Sequence, residues 1–347
     1  MTPLAALLAD RIRAGGPLTL ADYMAECLLH PLHGYYATRD PFGTGGDFTT
    51  APEISQMFGE LLGLALAQYW LDLGAPAPFV LAEPGPGRGT LMADVLRATR
   101  AVPGFHAAAQ IWLVEASPVL RDRQRQALAG HAVHWADRVE DLPDGPLFLL
   151  ANEFFDALPI RQFTRGPTGW DETVVGLSPA GALQLGRVPV ADPGLTAAPG
   201  TVVEICPAAL PIAAHLGTRI AAQGGLALIL DYGGWGSRGD TFQALHHHTF
   251  ADPLAAPGEA DLTAHVDFRA LAAAARPAAH AFTTQGTLLN ALGLQTRAER
   301  LAARLSGPAL QAHLAAARRL THPDEMGTLF KALALYPPGA PTPPGLA

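Results

Sequence analysis

One lysine, Lys331, and two cysteines, Cys27 and Cys206, are all that 347 residues contain of either type. Two cysteines cannot build a disulfide framework or a four-ligand zinc site, so each is read as a small buried hydrophobe. Charged residues make up only 16% of the chain and the formal net charge is -8. That balance excludes a general nucleic-acid binder, which needs a basic surface to neutralise phosphate. No uninterrupted apolar run reaches the length of a membrane span. The stretch 1–16 meets Asp10 and Arg11 before a useful apolar core has formed, so neither a signal peptide nor membrane insertion is expected. Internal repeats are absent as well. What is plentiful is apolar: 49% hydrophobic residues, enough for one large α/β domain with insertions or for two domains.

Residues 1–33 read as short helices punctuated by proline and glycine. Thr50-Ala-Pro-Glu53 has the spacing of a capping box, with apolar Ile54, Met57, Phe58, Leu61, Leu62 and Leu66 behind it, and predicts an amphipathic helix. From Phe79 short apolar strands alternate with helices. Strands are expected at 79–84, 111–116, 147–153 and 226–233, with helices at 90–100 and 118–128. Such alternation implies an α/β fold with a mostly parallel sheet covered on both faces. Ligands in these sheets sit at the carboxyl ends of the strands. The informative residues are then Glu83, Glu115, Asn152-Glu153 and Asp231-Tyr232. Residues 160–205 are broken by glycine and proline and read as an antiparallel insertion. Residues 235–265 read as a long loop, 267–319 as alanine-rich helix, and the segment ending near Tyr336 as a last strand.

Between the first strand and its helix stands Glu83-Pro-Gly85-Pro-Gly87-Arg-Gly89-Thr90. A glycine-rich turn there lets a ligand approach the backbone at a helix N-terminus. Dinucleotide sites carry glycine or alanine where this chain has Thr90, and a phosphate loop needs a lysine that is missing. Glu83 suits a ligand with a positive amine better than a pyrophosphate. Glu115, closing the next strand, stands where an acid takes both hydroxyls of a ribose. A nucleoside with an amine-bearing tail, such as S-adenosylmethionine, fits both acids. A structural glycine turn and a solvated strand-end acid are the competing explanations.

With these residues in view the chain resembles a class I S-adenosylmethionine-dependent methyltransferase, and more narrowly the MidA family (DUF185). The blocks carrying the likeness run nearly the whole length: Gly34-Tyr-Tyr, 46–55, Phe58-Gly-Glu-Leu, 83–92, Val114-Glu-Ala-Ser-Pro118, 152–159, Asp231-Tyr-Gly233, 257–268 and Met326-Gly-Thr-Leu-Phe-Lys331. The resemblance implies a Rossmann-like sheet of seven mostly parallel strands with helical and antiparallel β insertions. It divides the chain into a helical segment with a cofactor-capping loop at 1–75 and a methyltransferase domain at 76–347. Insertions are expected at about 160–200 (β) and 235–325 (loop and helical, on the substrate side). It also implies methylation of a protein side chain, with arginine the leading candidate, because the family's mitochondrial member modifies a subunit of respiratory complex I. A client protein, in the family a respiratory-complex subunit, is the expected partner; a homodimer stays open.

Roles follow residue by residue. Glu83 is expected at the methionine amine, Gly85 and Gly87 at the close backbone approach, and Thr90 and Leu91 at the methionyl part. Glu115 is expected at the ribose with Ser117 nearby, Trp135 against adenine or in the core, and Asn152 beside the glycine turn. The capping segment adds Tyr36, Thr49 and Thr50 as cofactor contacts. An acceptor guanidinium is always protonated in water, so an enzyme using it needs carboxylates to orient it and take a proton. Glu153 and Asp156, set one helical turn apart in this reading, are the catalytic candidates, against the plainer view of two acids at a helix N-terminus. Asp261, Thr263 and His265 are placed on the substrate side. His246-His-His248 lacks a nearby cysteine, and adjacent histidines on a strand point different ways, so no metal is expected. Without a transit peptide in 1–16, a cytoplasmic enzyme is expected. A non-catalytic assembly factor keeping the cofactor fold is the alternative, and an oxidoreductase is disfavoured by Thr90.

Overall fold

The computed structural model describes residues 2–38, 50–236, 238–246 and 249–346. They fall into two compact units. One comprises Thr49–Phe154, Ile212–Gly233 and Ala270–Ala347, the other Met1–Phe48, Phe155–Pro211 and Gly234–Arg269.

The first unit is built on seven strands: β1 Phe79–Pro84, β2 Ala109–Val114, β3 Val133–Ala136, β4 Leu147–Asn152, β5 Gly225–Gly234, β6 Ala279–Thr284 and β7 Phe330–Tyr336. Their order across the sheet is β6-β7-β5-β4-β1-β2-β3. β3, β2, β1, β4 and β5 run parallel, and β7 lies antiparallel to both of its neighbours. Phe79 faces Ala109 and Pro84 faces Val114 in one ladder; Leu147 faces Gly225 and Asn152 faces Leu230 in another. β1 and β4 are buried along their whole length, which is why both read as continuous apolar runs. The sequence-based strand boundaries hold within two residues for these elements. β3 and β6 escape the sequence pattern. β6 lies inside the stretch read as helical. Its residues, Ala-His-Ala-Phe-Thr-Thr, are only partly buried, so they lack the dense β-branched composition of an inner strand.

Helices Gln56–Asp72 and Thr90–Thr99 lie against each other in this unit's core. A Cβ on Gly63 would come within 2.9 Å of the Val95 backbone. Trp70, Phe79, Phe105 and Phe148 interlock there, with ring centroids 5.0–5.8 Å apart where they meet. The predicted capping box does not form. Thr50 makes no side-chain cap, a short helix ends at Ile54, and Ser55 breaks the chain and caps the next helix through Met57 N–H. That next helix is buried around most of its circumference rather than amphipathic.

The second unit carries helices Pro3–Gly15 and Leu20–Leu29 and an antiparallel sheet from Arg161–Arg165, Trp170–Leu177, Leu183–Val190 and Val202–Ile205. This is the antiparallel insertion read from 160–205. The stretch read as a loop, 235–265, holds strands Gln243–His246, Thr249–Ala251 and Asp261–Thr263 in one small sheet. Among the described residues no helix is long and apolar enough to cross a membrane.

Candidate active site

The carboxyl ends of β1, β2, β4 and β5 bring together Glu83, Glu115, Asn152-Glu153 and Asp231 in one unit. After Glu83 the backbone turns on three glycines with φ of 62° at Gly85, 52° at Gly87 and 85° at Gly89, a region that side chains with a Cβ rarely adopt. Gly85 N–H donates to Val114 O at 3.0 Å, which ties the turn to β2. A Cβ on Gly85 would stand 3.0 Å from Phe154 Cδ2, so the turn lies directly against the segment that follows β4. Gly89 is the N-cap of helix Thr90–Thr99 and has no side chain to cover the first turn.

Glu83 is 3% exposed. Its carboxyl receives the Met92 main-chain N–H, but Oε2 is buried with no hydrogen-bond partner among the described residues. Burial pushes the group up to about 8. A buried carboxylate with an unused oxygen is costly unless a cation meets it. The donor set therefore fits a ligand carrying an ammonium group at this point.

Glu115 is half-buried. Ser117 N–H donates to Oε1 at 2.8 Å and Gln124 Nε2 to Oε2 at 3.2 Å. Burial raises it above the usual carboxylate range despite these donors. Ser117 is the N-cap of helix Pro118–Ala127, its Oγ accepting from Leu120 N–H. Trp135 donates its indole N–H to Gln124 Oε1 at 2.8 Å, and the Arg125 guanidinium lies over its ring at 5.0 Å. Gln124 and Arg121 were not anticipated from the sequence. Arg121 holds the Glu115 carbonyl through Nε at 2.7 Å and pairs with Asp137 at 2.6 Å. Nothing in their helical spacing sets them apart from other polar helix residues.

Thr90 Oγ donates to Glu53 Oε1 at 2.6 Å. The Leu91 side chain is spent in the core, where a Cβ on Gly59 would come 3.2 Å from its Cδ1, so only its main chain is left for a ligand. Thr50 is buried at the start of the short helix, and Thr49 lies outside the described residues, as do His247 and His248. Glu153 has φ 50°. That conformation is uncommon for a residue with a side chain and marks local strain. Its Oε1 accepts from Ala51 N–H at 3.2 Å and Asn152 Nδ2 at 2.9 Å. Burial raises it above the ordinary carboxylate range; the hydrogen bonds from Asn152 and Ala51, and then the Arg319 charge, partly offset the rise.

Asp156 does not follow Glu153 on a helix; residues 153–158 form a turn, which corrects the expected helical spacing. Asp156 belongs to the second unit, together with Tyr36, Asp261, Thr263 and His265. There Tyr36 donates its hydroxyl to Asp261 Oδ1 at 2.7 Å, and its pKa is raised by burial and by the charges of Asp261 and Asp156. Ala264 N–H donates to the Asp156 carbonyl at 3.0 Å, and His265 N–H to Thr241 Oγ at 2.9 Å. Three residues assigned separately from the sequence to cofactor, catalysis and substrate thus share one buried cluster.

A turn of glycines after the first strand, an orphaned acid before it and a second acid after the next strand define a nucleoside-cofactor methyltransferase site. Residues 61–287 match the family described as "Putative S-adenosyl-L-methionine-dependent methyltransferase". The chain is 38% identical to protein arginine methyltransferase NDUFAF7, mitochondrial, of Rattus norvegicus, over 97% of this chain and 85% of that protein. The Homo sapiens protein of the same name is 37% identical over 97% and 84%. A Burkholderia thailandensis protein crystallised with S-adenosyl-homocysteine superposes with a TM-score of 0.84 at 30% identity, covering 99% of this chain and 93% of that one. The chain belongs to this family of S-adenosylmethionine-dependent methyltransferases, and S-adenosylmethionine is its cofactor. The protein arginine methyltransferase relatives are mitochondrial proteins, which overturns the expectation of a cytoplasmic enzyme.

Proposed function

We propose that the protein methylates an arginine side chain of a client protein. The observation that carries this reading is Glu153. It is a carboxylate on a strained backbone, packed beside the glycine turn through Phe154, and held above its ordinary range by burial. The name shared by relatives along 97% of the chain, protein arginine methyltransferase, supports the same acceptor. A respiratory-complex subunit as client rests on the family resemblance and belongs to this proposal.

The bound cofactor supplies a methyl group on a positively charged sulfur, which becomes a neutral thioether when the methyl leaves. Glu83 would hold the amine end, Glu115 the ribose hydroxyls, and the backbone of Gly85 and Gly87 would admit the ligand closely. Glu153 would orient the guanidinium and accept its proton. The arginine nitrogen that gained the methyl group would carry one proton too many, and the Glu153 carboxylate would take it. A guanidinium has a pKa above about 12, so an acceptor more basic than an ordinary carboxylate helps. Asp156 is the second acid proposed for catalysis, and Asp261, Thr263 and His265 are proposed on the substrate side.

The test is transfer from methyl-labelled cofactor to arginine-rich polypeptides, followed by hydrolysis and amino-acid analysis. Label in methylarginine, reduced at least tenfold in Glu153→Gln while S-adenosylhomocysteine still binds, is the expected result. Label in another residue type, or undiminished transfer by Glu153→Gln, overturns the acceptor or the assignment. Asp156→Asn is run alongside as the independent check on the second acid.

A further inference from the structure

Gln124 is 0% exposed. It uses every hydrogen-bonding group of its carboxamide. Nε2 donates to Gly87 O at 2.8 Å and to Glu115 Oε2 at 3.2 Å, and Oε1 accepts from Trp135 Nε1 at 2.8 Å. The orientation of the amide is determined by its partners. An indole nitrogen only donates, and the other two partners only accept, so a flipped amide would face like with like on all three sides. Gly89 lies beside it: a Cβ there would sit at ordinary contact distance, 3.5 Å, from both Gln124 Cα and Cγ.

We propose that Gln124 is a positioning residue for the cofactor, joining the glycine turn, the ribose acid and Trp135 into one preset surface. Resting on the assignment of Gly87 and Glu115 to the cofactor, it deepens that reading. Two constraints meet in this one side chain. It holds the Gly87 carbonyl through a hydrogen bond, which leaves the turn's conformation set before binding. It also occupies one oxygen of Glu115, so the carboxylate is held in a single rotamer instead of sampling several. Preset geometry lowers the ordering cost of binding. Because Gln124 is buried, replacing it with an apolar group strips a donor from a partly buried acid.

The test compares S-adenosylhomocysteine affinity in wild type, Gln124→Met, Gln124→Glu and Glu115→Gln. Gln124→Met should weaken binding about ten- to a hundredfold, the range expected for a lost hydrogen bond to a charged group. Gln124→Glu supplies a readout that a packing role would not move. Its protonated carboxyl can still accept from Trp135 and donate to one acceptor, whereas its ionised form sets two carboxylates against each other. The ratio of its Kd to that of wild type should therefore rise at least tenfold between pH 6 and pH 9. A flat ratio, or wild-type affinity in Gln124→Met, overturns the proposal. Unchanged affinity in Glu115→Gln would instead sink the underlying assignment of the ribose acid. Should Gln124→Met fail to fold, the pH profile of Gln124→Glu decides alone.

Discussion

Binding of the cofactor should expel a proton from Glu83. In the free protein this buried carboxyl sits at about 8. At pH 7 it is then roughly nine-tenths protonated. To meet an ammonium group it must ionise, and the pair keeps it ionised. The ligand's α-amine is that of a free amino acid, more basic than a peptide terminus of about 7.7–8.0, so it is already charged at pH 7 and takes up at most a small fraction of a proton. The net release is about 0.7–0.9 proton per site. Calorimetric titration with S-adenosylhomocysteine in phosphate and in Tris, whose ionisation enthalpies differ widely, gives this number from the difference in heat. Glu83→Gln should release almost none and bind about ten- to a hundredfold more weakly. The same shift sets a stability trend. The native pKa lies above the ordinary 4.5, so between these values the folded state holds a proton that the unfolded state has lost. Stability therefore falls as pH rises through that window, by up to about 1.4 kcal/mol per unit. The rise in melting temperature caused by S-adenosylhomocysteine should accordingly be larger at pH 8 than at pH 6. No proton release by the wild type at pH 7, or equal release by Glu83→Gln, would refute the reasoning.

Gly85→Val should abolish measurable S-adenosylhomocysteine binding and cost roughly 1–3 kcal/mol of stability, because it strains a residue at φ 62° and drives a side chain into Phe154; unchanged affinity by calorimetry would contradict this. Glu53→Gln weakens the acceptor of the Thr90 hydroxyl and should reduce cofactor affinity a few-fold without altering the fold, as read by titration and circular dichroism. Glu60 is buried between Arg97 and Arg297; burial opposes its ionisation, yet hydrogen bonds from Arg297 and Arg97 outweigh that and lower its pKa. Its stabilising contribution is thus present above the ordinary carboxylate value and lost as pH falls through the lowered one. Glu60→Gln should cost about 1–2 kcal/mol at pH 7, after discounting for the partly exposed arginines, and less at pH 3 in urea titrations.

Much of the sheet could be read in advance because a parallel strand covered on both faces leaves an unbroken apolar signature. Leu-Phe-Leu-Leu-Ala-Asn in β4 and Phe-Val-Leu-Ala-Glu-Pro in β1 have few competing readings. β6 carries no such mark. It is half-exposed and alanine-rich, and its pairing with β7 is a long-range fact that local composition does not encode. The break at Ser55 was hidden for a different reason. Thr50 and Glu53 have the capping-box spacing, but Glu53 turns to the Thr90 hydroxyl, and a partner 37 positions away overrides the local preference.

The site divides along the same line. Glu83 and Glu115 stand out as candidates in the sequence because each lies at a strand end, and strand ends are where this kind of sheet places its ligands. Gln124 stands mid-helix among Arg121, Asp122, Arg123 and Arg125, and its polarity there looks like solvent exposure. What distinguishes it is burial and its partners, one of them on β3, a strand the sequence pattern does not reveal: Trp135 of β3 supplies the donor that orients the amide. An unseen strand thus conceals the residue it orients. Glu153 shows the converse. Its strained φ is invisible in the sequence, but its place at the end of β4 is not, so the sequence marks it as a candidate while the cause of its altered basicity lies in three-dimensional packing.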